Sequence, residues 1–263
     1  MCREAWRLTP PGKWGARACL ALAWSAWLTI PTGGAYAQVL IQPVVVELSQ
    51  QKRVASVAVS LSSTAKSPLR LQADVFHWAQ GLDGRPITGH TDDLLVTPPL
   101  TVIRPGERQV FRVAFRHASP SNDELAYRLL IEDITSEADA NSLTARDVQV
   151  RFRTNYDLPV LVASLGKPTP RLRWKACPDA SLNASEVCLR VLNDGNRRVR
   201  VQKVTVLGAN REASMSLQES ETLLAGTERE WRIPILGGAT LIPQSVLIES
   251  GHGETLKAED GGF

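Results

Sequence analysis

Along most of this chain apolar and polar residues alternate with a period of two, the pattern of strands that bury one face and expose the other. Residues 148–156 show it most sharply: Val148, Val150, Phe152 and Tyr156 fall on one face, while Gln149, Arg151 and Arg153 fall on the other. A strand this apolar on one side and this basic on the other is suited to pairing with something outside its own domain. The same alternation, or enrichment in β-branched and aromatic residues, predicts strands over Val39–Leu48, Val54–Leu61, Leu69–Trp78, Gln109–Phe115 and Tyr127–Ile134. Breakers separate them. Asp83-Gly84 is a hairpin-type turn, Pro98-Pro99 cannot lie in a central ladder, and Pro105-Gly106 reads as a type II-like turn into the next strand. No long amphipathic helical pattern is present; Pro120–Leu125 has room for one turn.

After Leu165-Gly166-Lys167-Pro168-Thr169-Pro170, the best linker, the strand pattern resumes over Arg171–Ala176, Val187–Leu192, Val199–Leu207, Trp231–Ile235 and Ser245–Ser250. Asp194-Gly195 marks a tight turn, and the polar, glycine-rich tail Gly251–Phe263 reads as loose. The predicted fold is all-β: two tandem immunoglobulin-like β-sandwich domains, 38–160 and 161–263, set at an angle around a cleft.

Residues 1–37 stand outside that fold. Arg3, Arg7, Lys13 and Arg17 precede a short apolar run, Ala18 to Ile30, and Ala35-Tyr36-Ala37 is a small-x-small site, so a secretory signal peptide cleaved after Ala37 is expected. The run is too short and interrupted for a confident membrane span. The whole chain has 30 basic and 27 acidic residues; removing the signal's four basic residues and Glu4 leaves the two signs balanced. That balance gives no charge argument for nucleic acid or for an anionic membrane. Cys2 and Cys19 leave with the signal. Cys177 and Cys188 remain, and in an oxidising compartment they are expected to form a disulfide; they lack the C-x-x-C spacing of a redox pair.

Sequence signatures of catalysis are missing. There is no G-x-S-x-G, G-x-x-x-x-G-K-[ST] or H-E-x-x-H, and His77, His90, His117 and His252 lack ligand spacing. Asp92-Asp93 reads as a solvated turn, and Glu132-Asp133 has no nucleophile or basic partner nearby in sequence. No cofactor, no metal and no enzymatic activity are expected.

Three segments taken together resemble the periplasmic pilus (fimbrial) chaperone family of PapD-like proteins. They are Leu95-Val96-Thr97-Pro98-Pro99-Leu100 with Arg104-Pro105-Gly106-Glu107-Arg108-Gln109 and Arg112; Glu124-Leu125-Ala126-Tyr127-Arg128-Leu129-Leu130-Ile131-Glu132-Asp133-Ile134; and the strand ending Tyr156-Asp157-Leu158-Pro159. Within the family the chain looks most like the branch serving Csu-type and spore-coat-U-type pili. The resemblance implies a periplasmic chaperone that binds pilus subunits by donor-strand complementation and delivers them to an outer-membrane usher, without stable membrane insertion. It implies that Val148 and Val150, extended by Leu143 and Ala145, enter the subunit's groove, with Phe152 divided between that role and the chaperone's own core. It also implies that a basic residue three positions before the tyrosine, here Arg153 with Arg151 beside it, holds the subunit's terminal carboxylate; the alternative is that both are solvated strand residues.

Two positions depart from the family's pattern. Its second carboxylate-binding residue belongs on the first strand near Val44–Val46, where this chain has no basic residue between Gln38 and Gln51. At Asp157-Leu158 better-known members carry an Arg that helps orient the domains, which leaves Glu124 without that partner. Other readings of the chain are an exported Ig-like adhesion or binding protein and, more remotely, an enzyme with a site between the domains.

Overall fold

The computed structural model describes residues 38–49, 51–65, 67–117, 121–135, 153–178, 185–237, 240–251, 253–261 and 263. The expected donor residues Leu143, Ala145, Val148, Val150, Phe152 and the adjacent Arg151 lie outside the described residues. Every regular element among the described residues is a strand, and no helix there is long and apolar enough to cross a membrane.

The first half is two sheets around one core. The expected opening strand is two pieces, β1 (Val39–Gln42) and β2 (Val46–Leu48), divided by a cis Gln42–Pro43 bond. β1 runs antiparallel to β3 (Val54–Leu61), whereas β2 runs parallel to β10 (Asn155–Val162) in the other sheet. Proline has no N–H for the ladder, so the pairing stops there and the chain changes sheets. The Pro98-Pro99 pair acts in the same way. A cis Thr97–Pro98 bond separates β6 (Leu94–Thr97), paired to β8 (Arg108–Phe115), from β7 (Leu100–Ile103), paired to β4 (Leu69–Gln80). Pro105-Gly106 is the expected turn: Gly106 has φ +83° and the Glu107 N–H donates to the Arg104 carbonyl at 2.9 Å.

One sheet then has the order β1-β3-β8-β6, and the other β2-β10-β9-β4-β5 with β7 beside β4, where β9 is Leu125–Asp133 and β5 is Pro86–His90. β5 carries no apolar alternation and is exposed throughout, so the periodicity gave no sign of it. Inward residues of both sheets, among them Val57, Val59, Phe111, Val113, Tyr127, Leu129, Ile131 and Val160, are buried in a shared core.

The second half is one seven-stranded sheet, β14-β13-β16-β17-β11-β12-β15, folded around a second core that includes Trp174, Leu189, Val204, Trp231 and Ile248. In chain order its strands are β11 (Leu172–Ala176), β12 (Glu186–Asn193), β13 (Val199–Leu207), β14 (Glu212–Leu223), β15 (Glu228–Pro234), β16 (Ser245–Ser250) and β17 (Thr255–Asp260). The tail read as loose is therefore corrected. Gly253, at φ +79°, turns the chain back, and β17 pairs with both β16 and β11 and buries Ala258. A single buried alanine in a polar segment is too small a signal for periodicity to register. Cys177 and Cys188 form the expected disulfide, with Cα atoms 5.5 Å apart. Glu230 approaches them, but sulfurs bonded to each other are not thiolate ligands for a metal.

Tyr127 is buried and donates to Asp93 Oδ2 at 2.8 Å. Burial and the Asp93 carboxylate push its phenol well above the usual value of about 10. Below pH ~10 the folded and unfolded states both keep this phenol protonated; above it the unfolded state ionises first, so stability is expected to fall as pH rises. The phenolate absorbance of Tyr127, taken by difference from Tyr127→Phe, is expected to appear only as the protein unfolds in alkali. Ionisation near pH ~10 in the folded protein contradicts this.

Candidate functional site

β10 is registered against β9 along its whole length, from Asn155↔Glu132 to Val162↔Leu125. Pro159 lies opposite Arg128 and has no N–H, so this pair is a non-hydrogen-bonded one. By alternation the backbone groups of Asn155, Asp157, Pro159 and Leu161 point away from β9. The hydrogen bond from Ala163 N–H to the Leu48 carbonyl, 2.9 Å, has the same parity and points to β2. β2, however, covers only Val160–Val162. Among the described residues nothing pairs the outer edge of 155–159, and that edge leads back to Arg153 and the segment expected to be donated. Proline at this edge lets β10 run on to Val162, beyond the expected end of the strand.

Side chains sort by the same parity. Leu158, Val160 and Val162 enter the core. The opposite face carries Asp157 and Leu161 from β10, Ala126 and Arg128 from β9, and Trp78 and Gln80 from β4. Arg128 lies with its guanidinium carbon 3.8 Å from the centre of the Trp78 ring, and its Nη1 is 3.6 Å from Asp157 Oδ1. The Arg128 side chain is 19% exposed, and its Nε is buried without a hydrogen-bond partner. Burial lowers its pKa, and Asp157 opposes that shift. A guanidinium this desolvated, with its Nε donor unmatched, is suited to an added carboxylate.

Arg153 is exposed, and its Nη2 reaches the Thr135 carbonyl at 3.5 Å, just past the end of β9. Arg128 sits level with Pro159, six residues further along, so at about 3.3 Å per residue the two cations are roughly 20 Å apart along the sheet. They do not form a two-point clamp on one carboxylate. The sequence does not single out Arg128, because its apolar neighbours Leu129 and Leu130 make β9 look wholly structural; its place on the outward parity is the available signal.

The two halves meet beside this face. Trp78, Ala126 and Leu161 of the first half form one buried cluster with Leu224 of the second. Glu124, nearly buried, accepts from both the backbone and the guanidinium of Arg198, with Arg197 Nε 3.8 Å away. Arg198 Nη2 also reaches Glu47 Oε1 at 2.9 Å. Glu124 therefore does have an arginine partner, supplied by the second half through the Arg197-Arg198 doublet rather than by position 157 or 158. The first strand contributes an acid, Glu47, to the junction. These residues, with Lys52, line a cavity of about 380 Å³.

The family model for pili and flagellar-assembly chaperones, PapD N-terminal domain, matches residues 38–163. Among solved structures the chain is similar to the CsuC–CsuE chaperone–tip adhesion subunit pre-assembly complex from archaic chaperone-usher Csu pili of Acinetobacter baumannii (TM-score 0.61, 17% identity, 86% of this chain and 100% of that one). It is likewise similar to the class 5 fimbriae chaperone CfaA (TM-score 0.58, 13% identity, 86% of this chain and 100% of that one). A third is the Salmonella enterica SafA pilin in complex with the SafB chaperone (TM-score 0.51, 13% identity, 85% of this chain and 95% of that one). No curated protein matches the chain.

Removing one member of the junction's ion cluster isolates a buried charge. Arg198→Met is expected to lower the unfolding free energy by roughly 3 kcal/mol, and Arg198→Met with Glu124→Gln to recover most of it. Urea denaturation reads both; an unchanged midpoint in the single variant contradicts the role given to Arg198.

Proposed function

Because residues 38–163 match the family model for pili and flagellar-assembly chaperones, we propose that the chain belongs to that family and captures pilus subunits by lending them the strand that leads into β10. Chaperones of this family are periplasmic and non-enzymatic; the finer proposal is export by a signal peptide cleaved after Ala37. The proposal includes two Ig-like domains, 38–160 and 161–263, and an outer-membrane usher as the delivery partner.

The observation that carries the reading is the open edge of β10. Asn155 and Asp157 turn backbone groups outward, and β2 closes the edge from Val160 onward. A subunit strand added along the donated segment, with Val148 and Val150 filling its groove, continues along this edge as far as Pro159. Burying each valine contributes roughly 1.5–3 kcal/mol. The added strand passes Arg153 near its start and stops level with Arg128. This spacing gives the two cations different duties: Arg153 fixes register beside the donated segment, while Arg128, stacked on Trp78 next to the second half, receives the terminal carboxylate.

Val148→Asp and Val150→Asp are expected to leave the chaperone folded and to abolish recovery of a co-expressed subunit; normal recovery with both variants rejects strand donation through these residues. Binding of a subunit's C-terminal peptide, as free acid and as amide, separates the two arginines. The wild type and Arg153→Ala are expected to prefer the acid, whereas Arg128→Ala should bind both forms alike. Loss of the preference in Arg153→Ala alone assigns the carboxylate to Arg153 instead.

A further inference from the structure

The β4–β5 hairpin does more than complete its own sheet. Beyond its last pair with β9, His77↔Tyr127, β4 runs on to Gln80 and reaches the second half. The Gln80 side chain reads backbone there from both of its ends. Its Nε2 donates to the Thr222 carbonyl at 2.7 Å, and its Oε1 accepts from Leu224 N–H at 2.9 Å and from Thr227 Oγ1 at 3.3 Å. The turn after β4 docks on an open sheet edge, where the Leu82 carbonyl accepts from Glu230 N–H of β15 at 2.8 Å. An edge strand whose outward N–H is taken in this way is closed to other partners.

Gly84 completes the contact. It has φ +75°, and a Cβ built on it would lie 1.4 Å from Arg229 Nη1. Arg229 is not free to retreat: its Nη2 is 2.6 Å from Glu221 Oε2, its guanidinium lies 5.4 Å from the Trp231 ring centre, and its side chain is 14% exposed. A methyl group at Gly84 would therefore have to displace the Arg229 guanidinium from these contacts. None of these residues belongs to the Glu124–Arg198–Glu47 cluster, so the junction is held at two separate points with the Trp78–Leu224 contact as a third.

We propose that the β4–β5 hairpin is an interdomain latch that fixes the opening between the two halves before any subunit binds, and that it thereby holds Trp78 beneath Arg128. Trp78 precedes Gln80 by two residues and shares its face of β4. A shift of the hairpin therefore moves the platform on which the Arg128 guanidinium rests. Gln80 and Gly84 are positioning residues, acting through Trp78. The consequence for subunit binding rests on the proposed capture of subunits by strand donation; the latch itself does not.

The test places spin labels on the exported form at Ser56→Cys and Ser214→Cys, two exposed positions in different halves, with Cys177 and Cys188 already bonded to each other. Pulsed dipolar spectroscopy is expected to give a narrow distance distribution for the wild type. Gln80→Ala and Gly84→Ala should broaden it while circular dichroism stays unchanged. Gln80→Glu, which keeps the acceptor but sets a carboxylate oxygen against the Thr222 carbonyl, should broaden it as well. Distributions as narrow and as centred as wild type in both alanine variants overturn the latch. Binding of the subunit's C-terminal peptide is then measured on the same variants. If latch loss leaves the competent cleft about one-tenth populated, apparent affinity falls about tenfold. Broadening in a protein that binds no subunit peptide supports the latch and contradicts the chaperone reading, so the two failures are distinguishable.

Discussion

β10 is registered with β9 over all its residues and with β2 over only the last three, and that inequality organises the molecule. A strand end paired on one side and open on the other is ordinarily a liability, because unmet backbone groups recruit whatever strand is nearby. Here the opening is bounded. Pro159 supplies no donor, β2 closes the edge from Val160 onward, and Asp157 and Arg128 mark the adjoining face with charge. Pro43, which interrupts the ladder between β1 and β2, precedes the strand that provides the cover. Two prolines in different parts of the chain thus lie beside the elements that limit the open edge.

Charge at the junction follows a different logic from charge on the surface. Glu124 and Arg198 are desolvated together and satisfy each other, so they add specificity to the docking of the halves more than net stability. Arg128 is desolvated with less compensation: Asp157 lies at ion-pair distance, Trp78 lies beneath, and Nε has no acceptor. An imperfectly matched guanidinium held on a rigid aromatic is preorganised for a carboxylate that arrives from outside. The hairpin contacts through Gln80 and Gly84 supply that rigidity from a direction independent of the ion cluster.

Much of this was legible in the chain. Period-two alternation identified most strands, and Val199–Leu207 and Ser245–Ser250 coincide with β13 and β16. Pro98-Pro99 and Pro105-Gly106 signalled a break in the ladder and a turn because proline and glycine act locally. What escaped was non-local or weakly apolar. β5, β14 and β17 carry too few large apolar residues for periodicity to register, and they are strands because neighbouring strands pair with them. The Glu124–Arg198 pair spans 74 positions, and only the three-dimensional fold brings the Arg197-Arg198 doublet to the acid. Arg128 was visible as a residue, but the role proposed for it depends on Trp78, fifty positions earlier on another strand.

The central claim is that a subunit strand pairs with the segment leading into β10 and with the open edge beyond it. Amide hydrogen exchange along residues 143–159, in the protein alone and in a co-purified complex with a pilus subunit, tests it most directly. The account predicts strong new protection in the peptides containing Val148 and Val150 and at the Asn155 and Asp157 amides, with little change at Val160 and Val162, which are already paired. Protection confined to other surfaces, with exchange over 143–159 unchanged by the subunit, would contradict it.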